Sequence, residues 1–177
     1  MTHPANALLA EPDIAAFRSA MGAFPTGVTL LTQGSGADTI VMTLNSLTSV
    51  SLDPLLLLVS VKADGRMRPR IERAGSFAVN VLAEEHQDFA TEFARPDRPE
   101  GVAAMLSLGA VEGHTGNALV PTAVAAVECR LHSEFEAGDH VLLIGRVEAI
   151  HRGCPDARPL LFHQGGYARL PYPEGLR

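Results

Sequence analysis

The sequence predicts a β-rich α+β domain built from many short strands and a few small helices. Short runs of β-branched and apolar residues recur along the chain and are separated by Gly, Pro, Asn and Asp, which is typical of strands joined by turns. Apolar residues at helical spacing occur only in short stretches. A barrel is the economical closure for such strands, because it removes exposed sheet edges.

The first element is predicted to be a helix over residues 12–24. Its apolar residues recur every three or four positions and would form one face. These residues are Ile14, Phe17, Met21 and Phe24. Asp13 is a suitable cap near the start of the helix, and Pro25 ends it.

Strands and short helices are then predicted in close succession. The strands before the first loop are 27–32, 39–44, 47–52 and 55–61, with a turn over 33–38 and Asp53-Pro54 between the last two. A loop at 62–66 is followed by a predicted helix at 67–74, a strand at 77–82 and helical spacing over 84–94. Loops are predicted at 95–101 and 109–117, and a strand within 120–136. A turn at 138–140, a strand at 140–150 and a last strand at 160–167, which Gly165-Gly166 interrupts, complete the chain.

Length, charge and hydropathy limit the class of protein. The 177 residues are 46% hydrophobic, which predicts one packed domain over 1–177 with its core at about 14–168. The formal net charge of −6 argues against nucleic acid or an anionic membrane as a partner. No apolar run approaches the roughly 18 residues of a membrane span, and the N-terminus does not resemble a signal peptide. We therefore expect a cytoplasmic protein.

The two cysteines predict neither a disulfide framework nor a metal site. Cys129 and Cys154 lie far apart in the chain, and neither belongs to a Cys-x-x-Cys pair or to a convincing His-Cys ligand spacing. We expect two ordinary thiols in a reducing compartment.

Motifs of the common nucleotide-binding and hydrolytic folds are missing from the sequence. It contains no G-x-G-x-x-G after a strand, no P-loop, no G-x-S-x-G elbow and no H-E-x-x-H. A nucleotide cofactor would therefore need a site of another design.

The most informative stretch is the hydroxyl-rich segment 43–54. Small hydroxyl side chains can donate to phosphate oxygens, and their size lets backbone N–H groups approach a ligand. Asn45 can donate and accept toward the edge of a ring or a polyol chain. An exposed Ser/Thr-rich hairpin explains the same composition, and the residue types alone leave both interpretations open.

Four further features carry candidate ligand contacts. Thr26 lies between a proline and a glycine, His140 follows Gly-Asp at a strand entry, and Tyr167 follows two glycines that allow close approach. Three arginines within 66–70 could pair with a phosphate. A plain turn, a turn cap, a bulged strand and a solvated charged face are the simpler explanations.

Taken together and in order, these pieces resemble the flavin reductase-like family with the FMN-binding split-barrel fold. The resemblance covers about residues 14–168. The matching segments are Phe17-Arg18 to Phe24-Pro25-Thr26-Gly27-Val28-Thr29, Met42 to Pro54, Phe77 to Leu82, Phe89 to Phe93, Gly138-Asp139-His140 with Gly145 and Val147, and Leu161-Phe162-His163 to Gly166-Tyr167.

The resemblance implies roles for individual residues. Val41, Met42, Thr43, Asn45 and Ser46 would line the flavin ring and ribityl chain, and Ser49, Val50 and Ser51 are further cofactor-binding candidates in the same segment. Ser60, Val61, Lys62 and Arg66 would lie by the flavin phosphate or the adenylate of FAD, with Phe93 beside the nucleotide end. Gly138, Asp139 and His140 would place the nicotinamide, and Thr26 and Tyr167 would edge the pocket.

The activity implied is hydride transfer from NADH or NADPH to FMN or FAD, with reduced flavin delivered to a separate monooxygenase. The family is usually homodimeric, with each pocket near the subunit interface. His140 is the best candidate for a catalytic side chain, although orientation alone suffices for hydride transfer. A split-barrel oxidase resembling pyridoxamine phosphate oxidase and a non-catalytic flavin- or haem-binding module are the alternatives.

Two departures from the family pattern leave the choice between FMN and FAD open. The family commonly has Asp-Pro-Pro after the hydroxyl-rich stretch, whereas this sequence has Asp53-Pro54-Leu55. The loop at 63–69 lacks the Ser or Thr often found there. The choice between NADH and NADPH is open as well.

Overall fold

The computed structural model describes residues 12–153 and 155–171. Its helices are α1 (Ile14–Gly22), α2 (Met67–Ala74), α3 (Gln87–Ala94) and α4 (Gly101–Leu108), with 3₁₀ turns at Gly36–Asp38 and Glu84–His86. Its strands are β1 (Thr26–Gly27), β2 (Thr29–Gln33), β3 (Ile40–Leu44), β4 (Thr48–Leu52), β5 (Leu55–Lys62), β6 (Ser76–Val81), β7 (Val111–Glu112), β8 (Ala118–Leu119), β9 (Ala125–Ala137), β10 (His140–Arg152), β11 (Leu161–His163) and β12 (Gly166–Ala168). The predicted β-rich α+β class is confirmed.

One antiparallel sheet of seven strands, in the order β3-β2-β6-β9-β10-β5-β4, forms the framework of the fold. Its two terminal strands, β3 and β4, follow each other in the chain and are not paired with each other. Each is therefore an open edge, and residues 45–47 pass from one to the other. A smaller sheet, β1-β11-β12, joins the first strand to the last hairpin, and β7 pairs with β8.

The large sheet is buried on both faces at β2. On β2, Leu31 belongs to a core with residues of β5, α2 and β10, whereas its neighbour Leu30 belongs to a second core with α3 and α4. Successive side chains of a strand point to opposite faces, so Leu30 and Leu31 enter different cores. All five residues of β2 are buried.

Several predicted boundaries differ from the observed ones. The first helix ends at Gly22, and the strand predicted over 27–32 is interrupted at Val28. The loop predicted over 109–117 contains β7, and the last predicted strand is a hairpin that turns at Gln164-Gly165. Helix α4 begins at Gly101, the last residue of the charged loop predicted over 95–101.

The cysteine prediction is testable at one position, because Cys154 lies outside the described residues. Cys129 is fully buried on β9, and burial raises the pKa of its thiol to about 12. It is therefore a protonated core side chain at neutral pH. Within residues 12–153 and 155–171, no helix has the length and apolar character needed to cross a membrane.

Candidate active site

A cavity of about 640 Å³ opens beside β3, the terminal strand of the large sheet. This volume is within the usual range of about 300–1,000 Å³ for cofactor and ligand sites. The cavity is lined by Met42, Thr43, Leu44, Asn45, Ser46, Ser60, Val61, Lys62, Asp64, Gly65, Arg66, Met67, Ala94, Pro96, Arg98 and His140. Nine of these were predicted as site residues: Met42, Thr43, Asn45, Ser46, Ser60, Val61, Lys62, Arg66 and His140.

Two hydroxyl groups of the cavity lining form hydrogen bonds with the protein backbone. Thr43 Oγ1 donates to the carbonyl of Ala90 at 2.8 Å, which ties β3 to α3. Ser46 Oγ accepts the N–H of Ser60 at 2.9 Å and donates to its carbonyl at 3.2 Å, so it extends the β4–β5 pairing beyond Thr48. Both hydroxyls hold the wall in place and retain acceptor lone pairs for a ligand.

Asn45 lies where three cavities meet. It lines the 640 Å³ cavity, a larger apolar cavity of about 860 Å³, and a small one of about 180 Å³. Its Nδ2 donates to Thr26 Oγ1 at 3.1 Å, which leaves the carboxamide oxygen available to a ligand. Thr26 lines the larger cavity, and Tyr167 lines the small one in edge-to-face contact with Phe162.

Three cationic side chains and one carboxylate, that of Asp64, line the same cavity. Lys62, Arg66 and Arg98 all line it. Arg98 donates from Nε to the carbonyl of Val41 at 2.6 Å and from Nη1 to that of Arg95 at 3.0 Å. Burial lowers the pKa of Arg98, and the charge of Arg66 lowers it further, yet a guanidinium stays charged in proteins. Two neighbouring cations of this kind suit an anionic ligand such as a phosphate.

His140 is the first residue of β10, where it pairs in register with Lys62 of β5 and Ala137 of β9. Its Nδ1 lies 2.8 Å from Oδ1 of Asp139, and this hydrogen bond lowers the pKa of Asp139. Because the ionised carboxylate can only accept, Nδ1 of His140 carries the hydrogen. In the neutral ring, Nε2 is then an acceptor available to a bound molecule.

Several predicted site residues do not line the 640 Å³ cavity. The side chains of Val41 and Phe93 are fully buried in the core between the sheet and α3 and α4. Ser49, Val50 and Ser51 lie on edge strand β4, where Ser49 and Val50 are exposed and Ser51 is half-buried, and they line none of the three cavities. Gly138 and Asp139 form the turn of the β9–β10 hairpin, so Asp139 acts through His140.

Sequence reasoning missed Arg98, whose segment was predicted only as a charged loop. Pro96 and Arg98 of this segment reach the cavity because α3 packs on β3, and this contact is not visible in a local pattern. Of the three arginines within 66–70, only Arg66 lines the cavity. Arg68 pairs with Glu72 and Glu134, and Arg70 donates to Gln33.

The sequence profile of the family described as "Flavin reductase like domain" matches residues 21–171. The chain belongs to the flavin reductase-like family. Every residue that lines the 640 Å³ cavity of this flavin reductase-like domain lies within the matched range.

Relatives of known activity cover most of this flavin reductase-like chain. An NADH-dependent FMN reductase of Streptomyces nodosus subsp. asukaensis is 47% identical over 163 residues, which are 92% of this chain and 88% of the relative. The crystal structure of the flavin reductase component of a bacterial two-component tryptophan halogenase superposes with a TM-score of 0.84 at 38% identity, covering 91% of this chain and all of that one.

A third relative was solved with ligand fragments. It is the NADH:FAD oxidoreductase of Streptomyces globisporus C-1027 in complex with NAD and FAD fragments, with a TM-score of 0.83 at 36% identity, covering 93% of this chain and 96% of that one. The predicted split-barrel flavin reductase fold is therefore confirmed.

Proposed function

We propose that this chain is an NAD(P)H:flavin oxidoreductase that transfers a hydride from NADH to FMN or FAD. The observation that carries the proposal is the 640 Å³ cavity, whose lining combines hydroxyl and carboxamide groups with three cationic side chains. This arrangement suits a ligand with a polar ring and polyol chain and a terminal phosphate. The family match and the NADH-dependent FMN and FAD reductases among the relatives support it.

The residues of the cavity fit a flavin nucleotide. Asn45 and the segment around Met42 would hold the ring and ribityl chain, and Lys62, Arg66 and Arg98 would hold the phosphate. Arg98 supports this fit because it is partly buried and donates to backbone carbonyls, while no salt bridge in the described part of the chain includes it. Bound flavin would accept the hydride of reduced nicotinamide.

The protein's own contribution is position and exclusion of water. Ser46 and Thr43 fix the wall of the cavity through backbone carbonyls, so little of it has to reorganise when a ligand binds. Asp139 fixes the orientation of His140, whose Nε2 would accept a hydrogen bond from the bound nicotinamide nucleotide. The apolar 860 Å³ cavity meets the first at Asn45 and Ser46, and it would exclude water from the reacting rings.

The homodimer is part of the proposal. Helix α1 has no buried residue, and Ile14, Phe17, Met21 and Phe24 are each at least half exposed. Phe17, Met21 and Phe24 also line the open 860 Å³ cavity. An exposed apolar patch of this kind marks an interaction surface, and a second copy that covers it would close the cavity beside Asn45.

A separate flavin-dependent monooxygenase would use the product. The relative that serves as the reductase component of a two-component halogenase supports this role. The protein is proposed to act in the cytoplasm, where NADH is available.

The test is oxidation of NADH or NADPH by the purified protein, with FMN or FAD added under air, followed at the absorbance of reduced nicotinamide. We expect oxidation that depends on added flavin and is faster with NADH. Flavin binding without oxidation of either nucleotide would contradict the proposal and favour a binding module. The same assay identifies the preferred flavin.

A further inference from the structure

Two arginines hold the segment between α3 and α4 against the cavity. Arg66 donates from Nη2 to the carbonyl of Pro96 at 3.0 Å, and its Nη1 lies 2.5 Å from Oε1 of Glu100. Arg98 ties the same segment to β3 through the carbonyl of Val41. Both arginines line the cavity, whereas Glu100 does not.

Glu100 is the carboxylate paired with a cation of the cavity, whereas Asp64, which also lines the cavity, forms no salt bridge in the described part of the chain. Among the described residues, the Arg66–Glu100 pair is the one salt bridge formed by Lys62, Arg66 or Arg98. A phosphate that approaches these cations therefore meets one guanidinium already occupied by a carboxylate. Its binding at Arg66 requires either a shared geometry or displacement of Glu100.

Displacement is favoured by the chemistry of the two anions. The side chains of Arg66 and Glu100 are 54% and 41% exposed, and exposed ion pairs of this kind are weak. A phosphate monoester carries close to two negative charges at neutral pH and offers three acceptor oxygens. It can form the same bidentate pair with a guanidinium as a carboxylate, and its larger negative charge strengthens the attraction.

The released carboxylate has a second place to go. Glu100 is the N-cap residue of α4, with an extended backbone (φ −131°, ψ 169°), yet its side chain makes no capping hydrogen bond. The first N–H groups of a helix lack intrahelical acceptors, and negative charge is favoured there. Glu100 can therefore exchange Arg66 for the first turn of α4 with little loss.

We propose that Glu100 is a displaceable counter-ion that controls the affinity of the site for phosphorylated flavin. It neutralises Arg66 in the ligand-free protein and turns to the N-terminus of α4 when the flavin phosphate binds Arg66. Glu100 is thus a positioning residue that acts through Arg66. This inference rests on the proposed function, because it requires the cavity to bind flavin.

The first experiment compares binding of FMN and riboflavin, which differ by the phosphate, to wild type, Glu100→Gln and Asp97→Asn. Asp97 is the matched control, since it lies on the same segment, is paired with Arg95 and does not line the cavity. In a flavin fluorescence titration, Glu100→Gln is expected to bind FMN about two- to five-fold more tightly, with riboflavin unchanged. Asp97→Asn should change neither dissociation constant.

The opposite results overturn the inference. Unchanged or weaker FMN binding in Glu100→Gln, or an equal gain for riboflavin, would show that Glu100 does not compete with the phosphate. If wild type binds flavin and oxidises NADH in those cases, the proposed function stands and only the role of Glu100 fails. If wild type binds neither FMN nor riboflavin, the proposed function fails with it.

A second readout follows the carboxylate itself. FMN, but not riboflavin, is expected to slow amide hydrogen exchange at Val102 and Ala103 of wild type, because Glu100 then caps α4. Glu100→Gln should lose most of this protection. Equal protection by riboflavin, or none with FMN, would contradict transfer of Glu100 to the helix.

Discussion

At the scale of single residues, His140 is the side chain whose position most directly suggests a role in turnover. It lines the cavity, and Asp139 fixes its tautomer. We expect His140→Ala to lower kcat/KM for NADH by roughly ten- to a hundred-fold, because nicotinamide would lose an orienting contact. The flavin dissociation constant should change by less than about two-fold.

Steady-state kinetics and a flavin titration on the same preparation test this prediction. His132→Ala is the control, since His132 is exposed on β9 and does not line the cavity. A parallel loss of flavin affinity in His140→Ala would assign His140 to flavin binding instead.

Glu128 is a buried carboxylate that lies outside the three cavities at the site. It is 0% exposed and accepts hydrogen bonds from the N–H of His114, from both the N–H and hydroxyl of Thr115, and from His151 at 2.7 Å. Burial alone would raise the pKa of Glu128, but the hydrogen bonds from Thr115, His151 and His114 hold it below its usual value. The carboxylate anchors the loop between β7 and β8 to β9 and β10.

The sign of the pH dependence follows from this lowered pKa. Glu128 stabilises the fold above the unfolded-state pKa of 4.5, and the contribution is lost as the pH falls through the lower folded-state pKa. Glu128→Gln should reduce the free energy of unfolding at pH 7 by about 2 kcal/mol or more, because an amide replaces an acceptor facing four donors.

Denaturant unfolding at pH 7 and at pH below 4 tests this prediction. The difference between wild type and Glu128→Gln should narrow at the lower pH. Glu136→Gln provides an exposed control that should behave as wild type at neutral pH. A difference independent of pH would mean that the Glu128 charge contributes nothing.

At the scale of elements, the packing of side chains from the neighbouring strands β6 and β9 leaves no room for a side chain at Gly145 of β10. A Cβ there would lie 2.5 Å from Cζ of Phe77 and 2.8 Å from Cβ of Cys129, and both residues are fully buried. Gly145→Ala should therefore reduce the free energy of unfolding by about 1–3 kcal/mol through overpacking. Thermal and denaturant unfolding measure this loss.

Gly27→Ala is the matched control for Gly145→Ala. A Cβ at Gly27 would meet no atom within 4 Å, and Gly27 has no positive φ. Its free energy of unfolding should stay within about 0.5 kcal/mol of wild type. Equal losses in the two variants would contradict the packing argument.

Local sequence patterns predicted the helices and strands whose ends are marked by residues such as glycine and proline. Helix α2 was predicted at its observed bounds, because Gly75 adopts the left-handed conformation that ends helices. Helix α4 was not predicted, although its Ala, Leu and Met are helix formers and Gly109 ends it with φ 55°. Its nearly uniform apolar character hides the helical period.

Part of the candidate site was predictable, because the order of segments that the chain shares with the family indicates which residues line the cavity. Asn45, Ser46 and Lys62 lie where a strand ends or begins, and all three line the cavity. The position of Arg98 in the site could not be predicted from the sequence, because the packing of α3 on β3 brings Arg98 to the carbonyl of Val41. Val41 shows the converse, since its place in a matching segment does not reveal that its side chain points into the core.

At the scale of the whole molecule, the exposed apolar face of α1 predicts the oligomeric state. Phe17→Glu places a charge at the proposed interface and should shift the protein from dimer to monomer in light scattering coupled to size exclusion. Ser19→Glu adds the same charge to the same helix at a residue that does not line the 860 Å³ cavity. It should remain dimeric, and a monomeric wild type would refute the proposal.

The small sheet joins two distant parts of the chain, since Thr26 of β1 pairs with Phe162 of β11, and both line the 860 Å³ cavity. During synthesis, the ribosome therefore releases one wall of this cavity long before the other exists. Domains generally fold as units, N-terminal parts first. A nascent chain without its last hairpin therefore lacks one wall of the 860 Å³ cavity, and this cavity is complete only once β11 and β12 have been made.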